Sequence, residues 1–301
     1  MNELKTNWKK ILYHNNTVGY IFSFPFLFGF FAFTLIPVLV SVYYSMTNYK
    51  LGQSPVFIGL ENYKNLFSDD RFLNSVKVTL IYVITSVPSK LIFALFIAYL
   101  LTQKHSGVTF YRSLYYVPSL IGGSIAVALV WKTIFSRKGL ANTILASFGV
   151  PKLSWLGEPH LAMGILVLMS VWQFGSSMII FAAGLKEISP TYYEAAEIDG
   201  ANKWQRFKAI TLPCLSPIIL YNLIMQTITA FMAFTQAFVI TQGGPNDSTN
   251  FYALYVYNHA FKWSNMGYAS AMSWVMLALI SIITFLLFKT SKFWVFTEAD
   301  Q

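Results

Sequence analysis

Bond chemistry needs a nucleophile, a base or a metal gathered in one place, and the residue types that supply them are dispersed along this chain. The four histidines, His14, His105, His160 and His259, lie far apart, no H-E-x-x-H or Cys/His metal spacing occurs, and Cys214 is the single cysteine. An internal disulfide is therefore excluded, and no constellation for a hydrolase can be assembled. A G-x-x-x-x-G-K-[ST] loop is also missing, so the chain lacks the usual cradle for nucleotide phosphates. The candidates that remain are neutral hydrogen-bonding groups set in apolar surroundings. The stretch WQFGSS groups Trp172, Gln173, Ser176 and Ser177, and Gln226, Thr229, Thr235 and Gln236 precede a TQGGP turn. Within the expected helix, Trp172 and Ser176 share one face at four-residue spacing. Amides and hydroxyls beside an indole can bind a polyhydroxylated solute, whose hydroxyls want donors and acceptors while its apolar faces want rings. The same residue types also serve as glue between membrane helices, and their spacing leaves both roles open.

The elements that carry these groups are membrane spans. Charged residues make up 11% of the chain and apolar ones 55%, against about a quarter charged in soluble domains. Six runs reach the roughly 20 apolar residues that a helix needs to cross a bilayer: Val18 to Tyr44, Val76 to Leu101, Leu114 to Phe135, Leu161 to Leu185, Leu215 to Ile240 and Tyr268 to Phe288. Each is expected to be helical, because lipid offers the backbone no other partner. The first run is too long for a signal-peptide core and no A-x-A-like site closes it, so it reads as a retained helix. Segments on one side of the six runs hold eleven cations and those on the other side seven, which by the positive-inside rule places both termini and the loop after the fourth run in the cytoplasm. The net charge of +9 thus speaks for orientation and contact with anionic lipid, and no basic cluster supports nucleic-acid binding.

No Asp or Glu falls inside any run, and Lys90 is the only ionisable residue near the middle of one. Ion-coupled carriers usually place ionisable groups within their helices. A Lys at that depth costs about 2.5 to 3.5 kcal/mol on insertion scales, so it must face protein, water or a snorkelling route. A structural Lys90 and one on a substrate pathway both satisfy that demand.

Between the fourth and fifth runs lies a polar stretch, EAAEIDGANKWQRFKAITLP, Glu194 to Pro213. Ser189 as cap with Pro190 in the first turn opens a helix there, and Thr191 with Glu194 offers an alternative capping box. Gly200 supplies a left-handed stop, and Asn202 with Gln205 can cap a second short helix ending before Pro213. The expected form is helix, tight turn, helix, outside the bilayer. Tyr193, Ala196, Ile198, Trp204, Phe207 and Ile210 are too many apolar residues for a freely solvated loop, so part of its surface is expected to be buried against the bundle or a partner. The loop is then a lid at the interface or a docking knob.

The spacing E-A-A, three residues, G, nine residues, I-x-L-P, met at Glu194, Ala195, Ala196, Gly200, Ile210, Leu212 and Pro213, resembles the signature loop of binding-protein-dependent ABC importer permeases. IGLENYKNLF, FYRSLYYVPS, WKTIFSRKGLANTIL, WLGEPHLA and TQGGPNDST extend the likeness to the carbohydrate-uptake branch, and to the first of its two paired permease types. The resemblance implies an all-α membrane protein with six transmembrane helices and a cytoplasmic helix-turn-helix coupling loop, the type I importer fold. It implies a cytoplasmic segment 1–17, a permease domain 18–289 that includes the coupling loop 186–213, and a cytoplasmic tail 290–301. It further implies a subunit that performs no catalysis and binds no cofactor. ATP and Mg belong to a cytoplasmic ATPase dimer, whose cation pairs with the acidic signature residue, Glu194. The other implied partners are a second permease subunit, an extracellular solute-binding protein, a carbohydrate, most simply an oligosaccharide, and the lipid of a bacterial or archaeal cell membrane. The sugar contacts fall in the regions of Trp172 to Ser177 and Gln226 to Gln236. The alternative from another class is a secondary carrier or channel that works without ATP.

Overall fold

The computed structural model describes residues 15–102 and 107–296. The expectations placed on residues 1–14, 103–106 and 297–301, including the cations Lys5, Lys9, Lys10 and Lys104 and the histidines His14 and His105, lie outside the described residues. Among the described residues the secondary structure is helical, with only the isolated bridges Thr47 to Phe57 and Lys50 to Asn265. Four helices are long and apolar enough to cross a membrane, and the number rises to six when each of two bent pairs is taken as one span. The chain is a multi-pass membrane protein.

The chain divides into two compact units. The first comprises residues up to Asn65 together with His259–Trp274. Its helices α1 (Asn15–Phe30) and α2 (Ile36–Ser45) join through a π turn at Phe31–Leu35. Helix α3 (Glu61–Phe67) begins in this unit, and the buried Asn62 amide donates to the Ser45 and Thr47 carbonyls, both at 2.9 Å, closing the end of α2. No residue in the most apolar part of this span is buried within the chain, and Phe22, Phe26 and Phe33 stand exposed. That surface is made for lipid or another membrane helix.

The second unit comprises Leu66–Asn258 and the residues from Val275 onward. At its centre is α4 (Asp70–Thr102), whose 33 residues are backed by α5 (Val108–Ile121), α8 (Pro159–Trp172), α9 (Gly175–Glu187) and α12 (Leu212–Phe231). Small residues along the seam, Ala94, Ala98 and Ala182, let these helices approach closely around Leu166, Met169, Met178 and Phe181. Further helices are α6 (Ile125–Ile134), α7 (Leu140–Ser147), α10 (Pro190–Ile198), α11 (Lys203–Arg206) and α13 (Tyr252–Tyr257), and α14 (Met266–Ser291) begins in the first unit and ends in the second.

Three of the expected runs differ in form. The third is not a straight crossing, because α5 and α6 meet at 98° across Gly122-Gly123-Ser124, where Ser124 caps α6 through Val127 N–H at 3.3 Å. The fourth bends by 44° between Trp172 and Gly175. The fifth starts early, at Lys203, and its α-helix stops at Phe231, so Met232–Phe234 are unwound before a π turn at Ala237–Thr241. The second helix of the polar loop therefore does not end before Pro213 but runs on into the span. A π turn at Phe207–Thr211 shifts the hydrogen-bond register, and Pro213, which has no N–H to give, falls at the start of the α-helix that follows.

Candidate functional site

All three interrupted spans break at one cavity. It measures about 220 Å³ and is lined from α4 by Tyr82, Val87 and Lys90, from the α5–α6 elbow by Gly123, and from α8 and the break after it by Ser170 and Gln173. The α12 side supplies Gln226, Thr229 and Ala230, the unwound Met232–Phe234, and then Thr235 and Gln236. Of the eight residues expected on a solute pathway, Gln173, Gln226, Thr229, Thr235 and Gln236 line this space. Ser177 sits behind it, fully buried, and its hydroxyl accepts a hydrogen bond from the Gln226 amide at 3.1 Å, which fixes that side chain.

Trp172 and Ser176 do not lie on one continuous helix. The helix between them ends at Trp172, so the four-residue spacing has no continuous helix to act on. The break turns Gln173 to the cavity, while the Trp172 ring packs on Trp131 at 5.8 Å, the first step of an aromatic chain through Phe135 to Trp155. Trp172 is thus outside the cavity lining, and Ser176 serves through its backbone.

The break is held by a residue that the sequence reading passed over. Ser119, on α5, donates its hydroxyl to the Gln173 carbonyl and accepts from the Ser176 N–H, both at 3.0 Å. These are the backbone groups that the interruption frees, and one hydroxyl satisfies both. Close approach makes this geometry possible. A Cβ on Gly175 would collide with the Tyr115 carbonyl of α5, and one on Gly122 would collide with the Gln173 side chain. The signal was present in S-L-I-G-G, a hydroxyl ahead of two glycines inside an apolar run. Tyr82 and Lys90 were similarly legible with Ser86 as one polar stripe at four-residue spacing.

Further contacts set the α12 side. Lys132 of α6 donates to the Val239 carbonyl in the π turn at 3.0 Å. Beyond the turn, Arg71 forms a two-pronged ion pair with Asp247 at 3.0 Å, and Asn74 donates to the Asp247 carbonyl at 3.1 Å. Tyr255 donates to Asp69 at 2.8 Å; burial, and then the Asp69 carboxylate, push its phenol well above the usual range, so it stays a donor. The segment after Gln236 is therefore anchored at both ends.

The polar loop takes the expected helix-turn-helix form. Ser189 precedes α10, with Pro190 in the first turn, but its hydroxyl donates to Thr191 at 3.2 Å and caps no backbone group. Gly200 has φ +75°, and the Ala201 N–H to Ala196 and Gly200 N–H to Glu197 bonds, 2.9 and 3.0 Å, complete a Schellman stop. The Asn202–Gln205 capping box is present in full, at 2.9 and 2.8 Å. Arg206 reaches back to Glu197 at 3.1 Å and ties the two helices together. Of the apolar residues, Tyr193, Ala196, Phe207 and Ile210 are half-buried, with Tyr193 bonded to Thr211 and Phe207 against Tyr99, while Ile198 is 88% and Trp204 67% exposed. Glu194 is exposed, on the same face as Ile198, and has no hydrogen-bond or ion-pair partner among the described residues.

Comparison with known proteins places this geometry in context. Residues 64–293 match the model of the binding-protein-dependent transport system inner membrane component family. The chain is 50% identical over 95% of its length to the Bacillus subtilis (strain 168) protein named "Probable ABC transporter permease protein YesP", of which 94% is covered. It is 34% identical to the multiple sugar-binding transport system permease protein MsmF of Streptococcus mutans, over 86% of this chain and 90% of that one. To the trehalose/maltose transport system permease protein MalF of Thermococcus litoralis it is 32% identical, over 94% and 97%. The fold matches a chain in the crystal structure of a bacterial ABC transporter involved in the import of the acidic polysaccharide alginate, with a TM-score of 0.81 over 95% of this chain and 98% of that one, at 22% identity.

Proposed function

We propose, from the premise that the chain belongs to the family of binding-protein-dependent transport system inner membrane components, that it is the permease subunit of an ATP-driven importer that carries a carbohydrate, in oligosaccharide form, through the cavity bounded by Gln173, Gln226 and Gln236. The relatives named for sugar transport, at 32 and 34% identity over most of the chain, support the substrate class. The single observation that carries the mechanism is the continuity of Lys203–Phe231. This helix of 29 residues begins in the exposed loop and ends at the unwound Met232–Phe234 that line the cavity. At 1.5 Å per residue it is a lever about 44 Å long. Displacement of the loop moves the cavity wall at its other end.

In this reading the loop is cytoplasmic and docks in a cleft of a separate ATPase dimer, which holds ATP and Mg, while this chain binds neither. Glu194 pairs with a cation of that ATPase, and Ile198 and Trp204 supply apolar anchors of the kind that dominate interface energetics. Gly200, Ala195, Ala196, Ile210, Leu212 and Pro213 shape the loop. A second permease subunit closes the cavity from the other side, covering apolar helix surface that this chain leaves open, and an extracellular binding protein delivers the solute. Both termini face the cytoplasm. The chain contributes no bond chemistry; neutral amides and hydroxyls bind sugar hydroxyls reversibly, and the lever changes which side of the membrane they face.

The test is uptake by proteoliposomes holding the full assembly, with loaded binding protein outside and ATP inside. Oligosaccharide accumulation that requires ATP and the binding protein is expected. Accumulation driven by an ion gradient without ATP would overturn the reading in favour of a secondary carrier.

A further inference from the structure

The cavity contains one feature that a neutral sugar does not require. Lys90 lies on α4 about 30 Å of helix from Asp70 and about 18 Å from Thr102, deep in the span. Its side chain is more than nine-tenths buried, yet it lines the cavity, and it has no hydrogen-bond or ion-pair partner among the described residues. The contrast with Lys132 is direct, since that second span cation is spoken for by the Val239 carbonyl. No Asp or Glu lies within any of the six apolar runs, and none lines the cavity. Asp70, the one carboxylate on α4, is at its far end, and Asp69 just before it is engaged by Tyr255. A buried ammonium in a low-dielectric site is unfavourable without an opposite charge. The other groups around it, Gln173, Gln226, Thr229, Thr235 and Gln236, already offer the donors and acceptors that hydroxyls need. An additional cation adds most selectivity for a solute that brings an anion, because the charge-assisted bond is stronger than one to a neutral hydroxyl.

Building on the carbohydrate reading above, we infer that the transported oligosaccharide is acidic and that Lys90 is the residue that binds its carboxylate. A uronic acid places a planar carboxylate on a ring whose remaining hydroxyls suit the surrounding amides. The ammonium binds it as a point charge through a charge-assisted hydrogen bond. The pairing exists only while the solute is in the cavity, so Lys90 is a specificity-determining residue, lining the same space as Gln173, Gln226 and Gln236.

The experiment uses the full assembly in proteoliposomes and two probes, a uronic-acid trisaccharide and the same trisaccharide with its carboxyl groups reduced to alcohols. Wild type is expected to accumulate the acidic sugar at least tenfold better. Lys90→Gln should lower uptake of the acidic sugar at least tenfold more than that of its reduced counterpart, and Lys90→Arg, which keeps the charge, should restore most of the difference. Equal loss of both sugars in Lys90→Gln would overturn the inference and assign the Lys90 counter-charge to a carboxylate of the second permease subunit. Preference of wild type for the reduced sugar would overturn it alone, without any variant, and would leave the carbohydrate reading standing. If wild type carries neither probe nor any other oligosaccharide, the carbohydrate reading falls, and this inference with it.

Discussion

Ser119→Ala is expected to loosen the bend that forms one wall of the cavity. The substitution removes the hydroxyl that donates to the Gln173 carbonyl and accepts from the Ser176 N–H, at 3.0 Å each. Both bonds are part-buried, so water can reach the freed groups to some extent and the full cost of desolvation does not apply. A net loss of about 1 kcal/mol per bond gives about 2 kcal/mol in all. Against a typical total stability of about 5 to 15 kcal/mol this is a large fraction. The loss is local, because Gly175 still packs against the α5 backbone and the two helices remain in contact. The expected result is a lower apparent melting temperature in detergent, together with reduced uptake at matched membrane abundance, since Gln173 lines the cavity from this break. Ser119→Thr keeps the hydroxyl and should stay closer to wild type. If Ser119→Ala melts and transports like wild type, the two backbone groups have other partners and the hydroxyl is incidental.

Gly200→Val should uncouple transport from ATP hydrolysis. A Cβ there would touch nothing within 4 Å, so the whole cost is the positive φ, about 1 to 2 kcal/mol for an L residue, and it falls on the angle between the loop helices; ATPase stimulation by loaded binding protein measures it, and normal stimulation would contradict the claim. Glu194→Gln should weaken capture of the ATPase by the purified permease while leaving the stability within about 0.5 kcal/mol of wild type, as for an exposed side chain without partners. Unchanged capture with lower stability would make Glu194 a local structural residue. Gln236→Ala should reduce uptake of sugars bearing the hydroxyl it contacts by about 0.5 to 1.5 kcal/mol, whereas Trp172→Ala, which empties a ring site against Trp131, should lower stability and affect all sugars alike. Sugar-selective loss in Trp172→Ala would return that ring to the cavity wall.

The sequence was most legible where a structural choice is made by a few adjacent residues. Asn202 and Gln205 form the capping box that their spacing specifies, and Gly200 stops α10 in the left-handed conformation that only glycine takes cheaply. Ser189 shows the limit of such reading, because a hydroxyl in the right place can bond a neighbouring side chain instead of the backbone. Hydropathy found the apolar runs, but it averages over 20 residues and counts no backbone hydrogen bonds. It therefore cannot tell a straight span from the 98° elbow at Gly122-Gly123 or from the unwound Met232–Phe234. The expectation that Trp172 and Ser176 share a face lost its basis for this reason: helical spacing was applied across a point where the helix stops.

The breaks and the cavity have one physical origin. A helix interrupted at membrane depth frees backbone N–H and C=O groups that lipid cannot satisfy, so the interruption is tolerated only where protein or a water-filled space meets it. Here three interruptions, at Gly123, Gln173 and Met232–Phe234, border the same 220 Å³. One of them is satisfied by Ser119, and another is followed by a π turn whose Val239 carbonyl takes the Lys132 ammonium. Gln173 and Gln236, placed beside such breaks, face the polar space, and Ser170, Gln226 and Thr229 reach it from unbroken helix, whereas Ser177, buried within α9, turns to Gln226. Lys90 marks the cavity as more than a packing defect. It sits on a helix that continues through Pro88, it donates to no α4 carbonyl, and its charge is left for whatever enters the space in front of it.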